Sequence, residues 1–258
     1  MILSSFDFPF NAVVVGASRG LGLGLVRALL AVPNANLVYA ACRRPDHASD
    51  LQALNREHGK RLRVLALDVT REANFAIAAD TITRETNRLH LVINAAGVLH
   101  DVSKAIQPER KLEDVNPQHL LASYMVNAIG PLLTAKHFLP LLAHPQRSLF
   151  ANISARVGSI GDNQLGGWYG YRAAKAAQNQ FTRTFAVEAK RRAPNLIVVG
   201  LHPGTVDTDL SKPFSGNVPP EQLFTVEQSV GHLMKVMDGL KTESSGQFFA
   251  WDGRSIPW

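Results

Sequence analysis

The 258-residue chain is 46% hydrophobic and 19% charged, which gives ample apolar material for a core and excludes a disordered protein. Its formal net charge is +6, but the cations are scattered and form no basic arm; this argues against nucleic acid and for a few arginines placed on an anionic small molecule. The single cysteine, Cys42, excludes an internal disulfide and a cysteine metal cage, and no metal site is expected.

The N-terminus has neither a secretory nor an Arg-rich transit pattern. The longest uncharged stretch, 120–135, is interrupted by Ser123, Tyr124, Asn127, Gly130 and Pro131 and is too short for the roughly 20 apolar residues of a membrane span. A cytoplasmic protein without a membrane span is expected. Short apolar runs alternate with longer amphipathic segments throughout, the pattern of a parallel sheet covered by helices on both faces. The runs predict strands at 12–15, 37–42, 62–67, 89–94, 149–153, 196–201 and 247–251. Between them, helices are predicted at 21–31, 49–57, 73–86, 117–142, 168–192 and 225–239, with Asn116 and Pro117 as N-cap and first turn of the fourth. No repeat or linker divides the chain, so one domain over 1–258 is expected. The stretch 203–220 holds Pro203, Pro213, Pro219 and Pro220 and cannot be a continuous helix. It reads as a loop at the carboxyl edge of the sheet, either covering a substrate or simply connecting elements.

Gly16, Gly20 and Gly22 join the first strand to the first helix. Glycines there permit a tight turn and bring helix-start amides onto a pyrophosphate, so a dinucleotide is expected on Gly16, Ser18, Arg19, Gly20, Leu21 and Gly22. The second strand ends at Cys42-Arg43-Arg44, without the carboxylate that would accept bonds from a ribose 2′-hydroxyl. Arg43, with Arg19, can instead grip a 2′-phosphate, which favours NADP (NADPH) over NAD; one of Arg43 and Arg44 is then an ordinary solvated residue.

Tyr171 and Lys175 lie four apart at the start of a helix and share one face. An ammonium beside a phenol favours the phenolate, so this spacing predicts a tyrosine of lowered pKa able to exchange a proton near neutrality. Alone, the pair is a weak signal.

Together with Gly16-xxx-Gly20-x-Gly22, Asp68-Val69, Asn94-Ala-Ala-Gly97, Asn127 and Pro203-Gly204 in this order, it resembles the short-chain dehydrogenase/reductase family in its form of about 250 residues, over nearly the whole chain. The resemblance implies an α/β, Rossmann-type doubly wound parallel sheet of about seven strands. It also implies an NADPH-dependent oxidoreductase of carbonyl-reductase type, passing hydride between nicotinamide and a small-molecule carbonyl or alcohol. Tyr171 would exchange the proton with the substrate oxygen; Lys175 would lower its pKa and hold the nicotinamide ribose; Asn127 would steady a water in a relay to Lys175. Asp68 and Val69 would meet the adenine, Asn94, Ala95, Ala96 and Gly97 would line the cofactor, and Pro203, Gly204, Val206 and Thr208 would meet the nicotinamide end. Local readings stand beside these: Asp68 as a helix cap, and Asn127 as a partner of a helix irregularity near Pro131. A homodimer or homotetramer is expected from the family.

One position departs from the family pattern. Where a serine hydroxyl ordinarily meets the substrate oxygen, the chain has Ala155 in Asn152-Ile-Ser154-Ala155. Ser154, expected to point to the opposite side of the strand, Ser159, a backbone amide and a water are the alternatives. The segment 157–172 and the ending 251–258 resemble the branch with the C-factor and Sniffer carbonyl-reductase-like proteins. That branch also makes a catalytically weak NADP(H)-binding signalling protein a second expectation. Substrate walls are expected from 98–115, 155–168 and 205–220, with Leu99, Ile106, Trp168 and Phe214 apolar and His100, Lys104 and Lys212 polar.

Overall fold

The computed structural model describes residues 3–101, 106–216 and 218–258; Lys104 lies outside them. In chain order the principal elements are β1 (Phe10–Val15), α1 (Gly20–Leu30), β2 (Ala35–Cys42), α2 (Ser49–His58), β3 (Leu62–Ala66), α3 (Glu72–Glu85), β4 (Leu91–Asn94), α4 (Pro117–Tyr124), α5 (Gly130–Leu142), β5 (Ser148–Ile153), α6 (Tyr169–Arg192), β6 (Leu196–His202), β7 (Thr205–Val206), β8 (Leu223–Phe224), α7 (Val226–Gly239) and β9 (Phe248–Ala250).

Seven strands form one parallel sheet in the order β3-β2-β1-β4-β5-β6-β9. The chain winds outward from β1 to β3, then returns to β4 beside β1. That reversal opens a crevice at the carboxyl ends of the strands, where open α/β sheets bind ligands.

The strand alternation sorts side chains onto two faces. Ala12, Val14, Val38, Ala40, Ile93 and Val199 pack with Leu25 and Leu29 of α1 and Leu233 and Met237 of α7. Val13, Val15, Tyr39, Val92, Phe150 and Val198 pack on the other side with Phe75 of α3, Phe138 of α5 and Phe185 of α6. Burial on both faces explains why the strands read as near-continuous apolar runs.

β1 starts two residues earlier than its apolar run, because the Asn11 side chain is satisfied inside the fold by donating to Thr86 Oγ1 and the Arg88 carbonyl. The predicted helix 117–142 is interrupted by a π turn, Met125–Ile129, between α4 and α5. Pro131 has no N–H to give to the Asn127 carbonyl four residues before it, so the α ladder cannot run through this point. From 203–220 the chain also makes a pairing that the sequence pattern does not announce: Thr205–Val206 runs parallel to Leu223–Phe224, just beyond that stretch. Two residues are too few to show alternation. Among the described residues, no helix is long and apolar enough to cross a membrane.

Candidate active site

The site is built from the carboxyl ends of β1, β4, β5 and β6. Gly16 has φ +88° and a Cβ there would fall 2.5 Å from Ala96 N; a Cβ on Gly22 would run into the Gly16 carbonyl. The turn therefore closes only with hydrogen at both positions. Helix α1 follows with Arg19 at its N-cap, no side chain capping it and no acid in its first turn. Free helix-start amides and the positive end of the helix macrodipole make this a cradle for a phosphate group. Ser18 and Leu21 are half-buried beside it. Thr208 covers Gly20, its Cγ2 3.4 Å from where a Cβ would stand. The segment expected at the nicotinamide end thus lies against the glycine turn.

Around this cradle the predicted contacts converge. Cys42 ends β2 as a buried residue, its thiol pushed up by burial, and exposed Arg43 follows. Arg19 reaches across the crevice to Asp209 at 3.0 Å. Asp68 Oδ1 accepts from Thr70 N–H at 3.0 Å and Thr70 Oγ1 at 2.7 Å, so it closes a local turn and does not cap α3, whose N-cap is Arg71. Burial raises the Asp68 carboxyl, but the Thr70 bonds with Arg43 and Arg71 outweigh it and hold the group below its ordinary range. Val69 packs against Gly130, where a Cβ would come within 2.9 Å. Asn94 donates to Asn152 Oδ1 at 2.7 Å, and Asn152 to Thr182 Oγ1 at 2.8 Å, leaving Ala95, Ala96 and Gly97 to line the crevice with backbone. Pro203 is fixed by Ser229 Oγ on its carbonyl. Gly204, at φ +79°, fits only a glycine, since a Cβ would strike the Phe224 ring at 2.6 Å.

Asn127 is fully buried in the π turn. Its Oδ1 accepts from Val98 N–H at 3.0 Å, and its Nδ2 donates to the Val98 carbonyl at 2.8 Å and Ser123 Oγ at 3.1 Å. The side chain thereby ties the end of β4 to the helix irregularity. The Asn127 carbonyl has no α-type partner, because Pro131 carries no N–H.

Tyr171 and Lys175 occupy the first two turns of α6, with Lys175 Nζ 5.9 Å from the Tyr171 ring centre. Lys175 is buried and donates to the Ile153 carbonyl at 2.9 Å and Gln178 Oε1 at 3.0 Å. The electrostatics differ from the sequence expectation of a lowered tyrosine. Burial pushes Tyr171 above its ordinary value and brings Lys175 down to about 7. Desolvation favours the neutral form of each, so the ammonium is poised at neutrality rather than permanently charged.

At the departure from the pattern, the backbone is extended through Ala155, so Ser154 and Ala155 face opposite ways. Ser154, the sequence candidate for the missing hydroxyl, is turned under α6 and donates to Asn179 Oδ1 at 2.7 Å, 3% exposed. This corrects its reading as a substrate contact: its proton is used inside the fold. Ser159 Oγ accepts from Asp162 N–H and closes a turn. Ala155 itself offers only backbone.

Two residues that the sequence reading passed over support the pair. Glu109, 6% exposed, accepts Gly170 N–H on Oε2 at 3.0 Å and accepts Trp168 N–H on its own carbonyl. No local spacing could reveal it, because 61 positions separate the partners. Gln178 could have been found, since it stands three after Lys175 on a helix. The helix start is set by left-handed Gly166, Gly167 and Trp168, the last at φ +52°. The Trp168 ring meets Tyr171 at 6.3 Å and Phe214 at 5.2 Å, and Phe214 meets His100 at 5.8 Å, all edge-on. These rings form a row that starts at Tyr171, and Leu99 is buried.

The sequence profile described as short chain dehydrogenase matches residues 11–218. A carbonyl reductase from chicken fatty liver, solved with NADPH bound, has a TM-score of 0.86 and 32% identity, over 97% of this chain and 95% of that one. Carbonyl reductase Sniffer of D. melanogaster has a TM-score of 0.84 and 28% identity, over 97% and 100%. The C-signal protein of Myxococcus xanthus is 35% identical over 147 residues, 57% of this chain and 83% of that protein.

Proposed function

The chain belongs to the short-chain dehydrogenase/reductase family, and from that premise we propose an NADP(H)-dependent oxidoreductase that interconverts a small carbonyl compound and its alcohol, with Tyr171 carrying the proton. The observation that carries this reading is the Tyr171–Lys175 pair at the mouth of a crevice whose other end is an uncapped helix start behind a glycine turn. The NADPH held by the chicken carbonyl reductase supports the choice of dinucleotide.

Gly16, Ser18, Arg19, Gly20, Leu21 and Gly22 would hold the pyrophosphate, and Arg43 with Arg19 the 2′-phosphate, which has no carboxylate to repel it at Cys42. Asp68 and Val69 would border the adenine, and Asn94 through Gly97 would form the floor. Pro203, Gly204, Val206 and Thr208 would close over the nicotinamide end. When bound, the nicotinamide supplies or accepts the hydride. Tyr171 gives a proton to the substrate oxygen in reduction and recovers it in oxidation. The Lys175 ammonium stabilises the phenolate left behind, since an opposite charge favours the ionised form. Asn127 would steady a water in a relay toward Lys175. At Ala155 the second contact to the substrate oxygen falls to a backbone amide or a water.

Tyr171→Phe removes one hydroxyl and leaves the packing intact. It is expected to retain NADPH binding by calorimetry and the parent circular dichroism while losing NADPH oxidation against a panel of aldehydes, ketones and quinones. Turnover at the parent rate would end the assignment. Arg43→Ala in the same calorimeter should weaken NADPH by about 1.5–3 kcal/mol, as for loss of a hydrogen bond to a charged group, with NADH little changed.

A further inference from the structure

Below the reacting pair lies an amide that the mechanism above does not use. Gln178 is fully buried, and its Oε1 stands 3.0 Å from Lys175 Nζ. An ammonium only donates, which fixes the amide with its oxygen toward the lysine. The other half, Nε2, is buried with no acceptor among the described residues. Burying an amide with one end unsatisfied is unfavourable, and a leucine of similar size would carry no such penalty. The bond to Lys175 is what the side chain contributes in return. The backbone repeats the arrangement: Gln178 O accepts from Thr182 Oγ1, which receives the Asn152–Asn94 chain. The glutamine is therefore held from below while it holds the lysine above.

We propose that Gln178 is a positioning residue for the reaction, keeping the Lys175 ammonium beside Tyr171 by accepting one of its protons; this rests on the roles given to Tyr171 and Lys175 above. The lysine has three donors. Ile153 O and Gln178 Oε1 take two and set the direction of the third. Without Gln178, the charged form keeps a single acceptor in a desolvated place, and the neutral amine gains ground. The other titratable or charged groups on the elements packed here include Arg172 of α6, bonded to the Gly166 and Gly167 carbonyls, Lys136 and His137 of α5, both on Glu72, Arg156 and Asp162, paired with each other at 3.3 Å, and His202, whose Nδ1 accepts Arg156 N–H. His119 and Tyr124 lie on α4, and Glu109 is on Gly170 N–H. Burial alone accounts for the shift of Lys175, which leaves its hydrogen-bond acceptors as the means of supporting the charge.

The test is a series of Gln178→Met, Gln178→Glu, Lys175→Met and the two double variants. Stability is measured by urea denaturation from pH 5 to 10. Lys175 resists protonation down to about 7 in the folded protein against 10.5 when free, so its contribution makes stability rise with pH across that interval. Gln178→Met is expected to move the lower edge of this interval down by about one to two pH units, the size of a hydrogen bond to a charged group. Gln178→Glu moves it up. Both displacements vanish in the Lys175→Met background. In steady-state kinetics, the alkaline limb of kcat for carbonyl reduction follows the same two directions, with KM for the carbonyl within about twofold. A uniform loss of stability or of kcat, with neither the interval nor the limb displaced, overturns the proposal. If Gln178→Met does not fold, Gln178→Glu alone decides by the sign of its displacement. If no carbonyl is reduced by any of the proteins, the oxidoreductase reading fails, and the stability series still decides whether Gln178 governs the charge on Lys175.

Discussion

Ala155 and Ser154 show how much one residue of register matters. Because neighbours on an extended strand face opposite ways, the serine is delivered to Asn179 and the alanine to the crevice. Ser154→Ala should therefore cost about 1 kcal/mol of stability, the net worth of one hydrogen bond, with kcat little altered. Ala155→Ser should raise turnover or leave it unchanged; steady-state kinetics with one carbonyl substrate checks both. A parent that binds NADPH without turnover, set beside an active Ala155→Ser, would favour the signalling protein. Which face each side chain takes follows from the sequence through strand periodicity. The charge state of Lys175 does not: it depends on burial by residues far along the chain, and the same burial acts on Tyr171 against the pull of the neighbouring ammonium that the spacing argument considers.

Helix α6 carries the reacting pair, and its first turn is held from outside. A run of three left-handed residues is an unfavourable way to enter a helix when the third is Trp168, since such a conformation costs roughly 1–2 kcal/mol for a residue with a side chain. Glu109 offsets this with two bonds to the same turn. Arg172 adds bonds to the Gly166 and Gly167 carbonyls. Glu109→Ala is expected to destabilise the protein by about 1–3 kcal/mol through the stranded buried amide and to lower kcat by misplacing Tyr171. Glu109→Gln, which keeps an acceptor, should recover most of both in thermal melts and kinetics. The element boundaries were legible to within two residues wherever a hydrophobic run met a glycine or proline. The π turn, the β7–β8 pair and the Glu109 cap were not, because each depends on one missing N–H, on two residues, or on a distant partner.

At the scale of the whole molecule, the parallel order of the sheet brings residues from Gly16 to Thr208 to one edge, and this much follows from the alternation of apolar runs with helices. What the pattern leaves unstated is how strongly the environment acts on single groups at that edge. His202, at the end of β6, is driven down to about 4, by burial first and then by Arg156. The unfolded chain takes up this proton near 6.5 and the folded one resists to about 4, so stability is expected to fall as pH drops through that window. Urea denaturation at pH 7 and 5 should show the loss, and His202→Gln should flatten it. With Lys175 acting in the same sense at higher pH, the fold should be firmest on the alkaline side of neutrality.

The lone thiol turns this architecture into a clock. Cys42 is 3% exposed at the end of β2, paired with Ala66 of β3 and directly before Arg43. A thiol reagent can reach it only when the outer strands part at their carboxyl ends. The rate at which the native protein is labelled therefore counts the openings of that half of the sheet, without any reporter being added. A ligand seated on the glycine turn that favours the closed state must slow that count in proportion to its occupancy. The spacing between labelling events would measure how often the crevice floor comes apart, and which dinucleotide holds it shut.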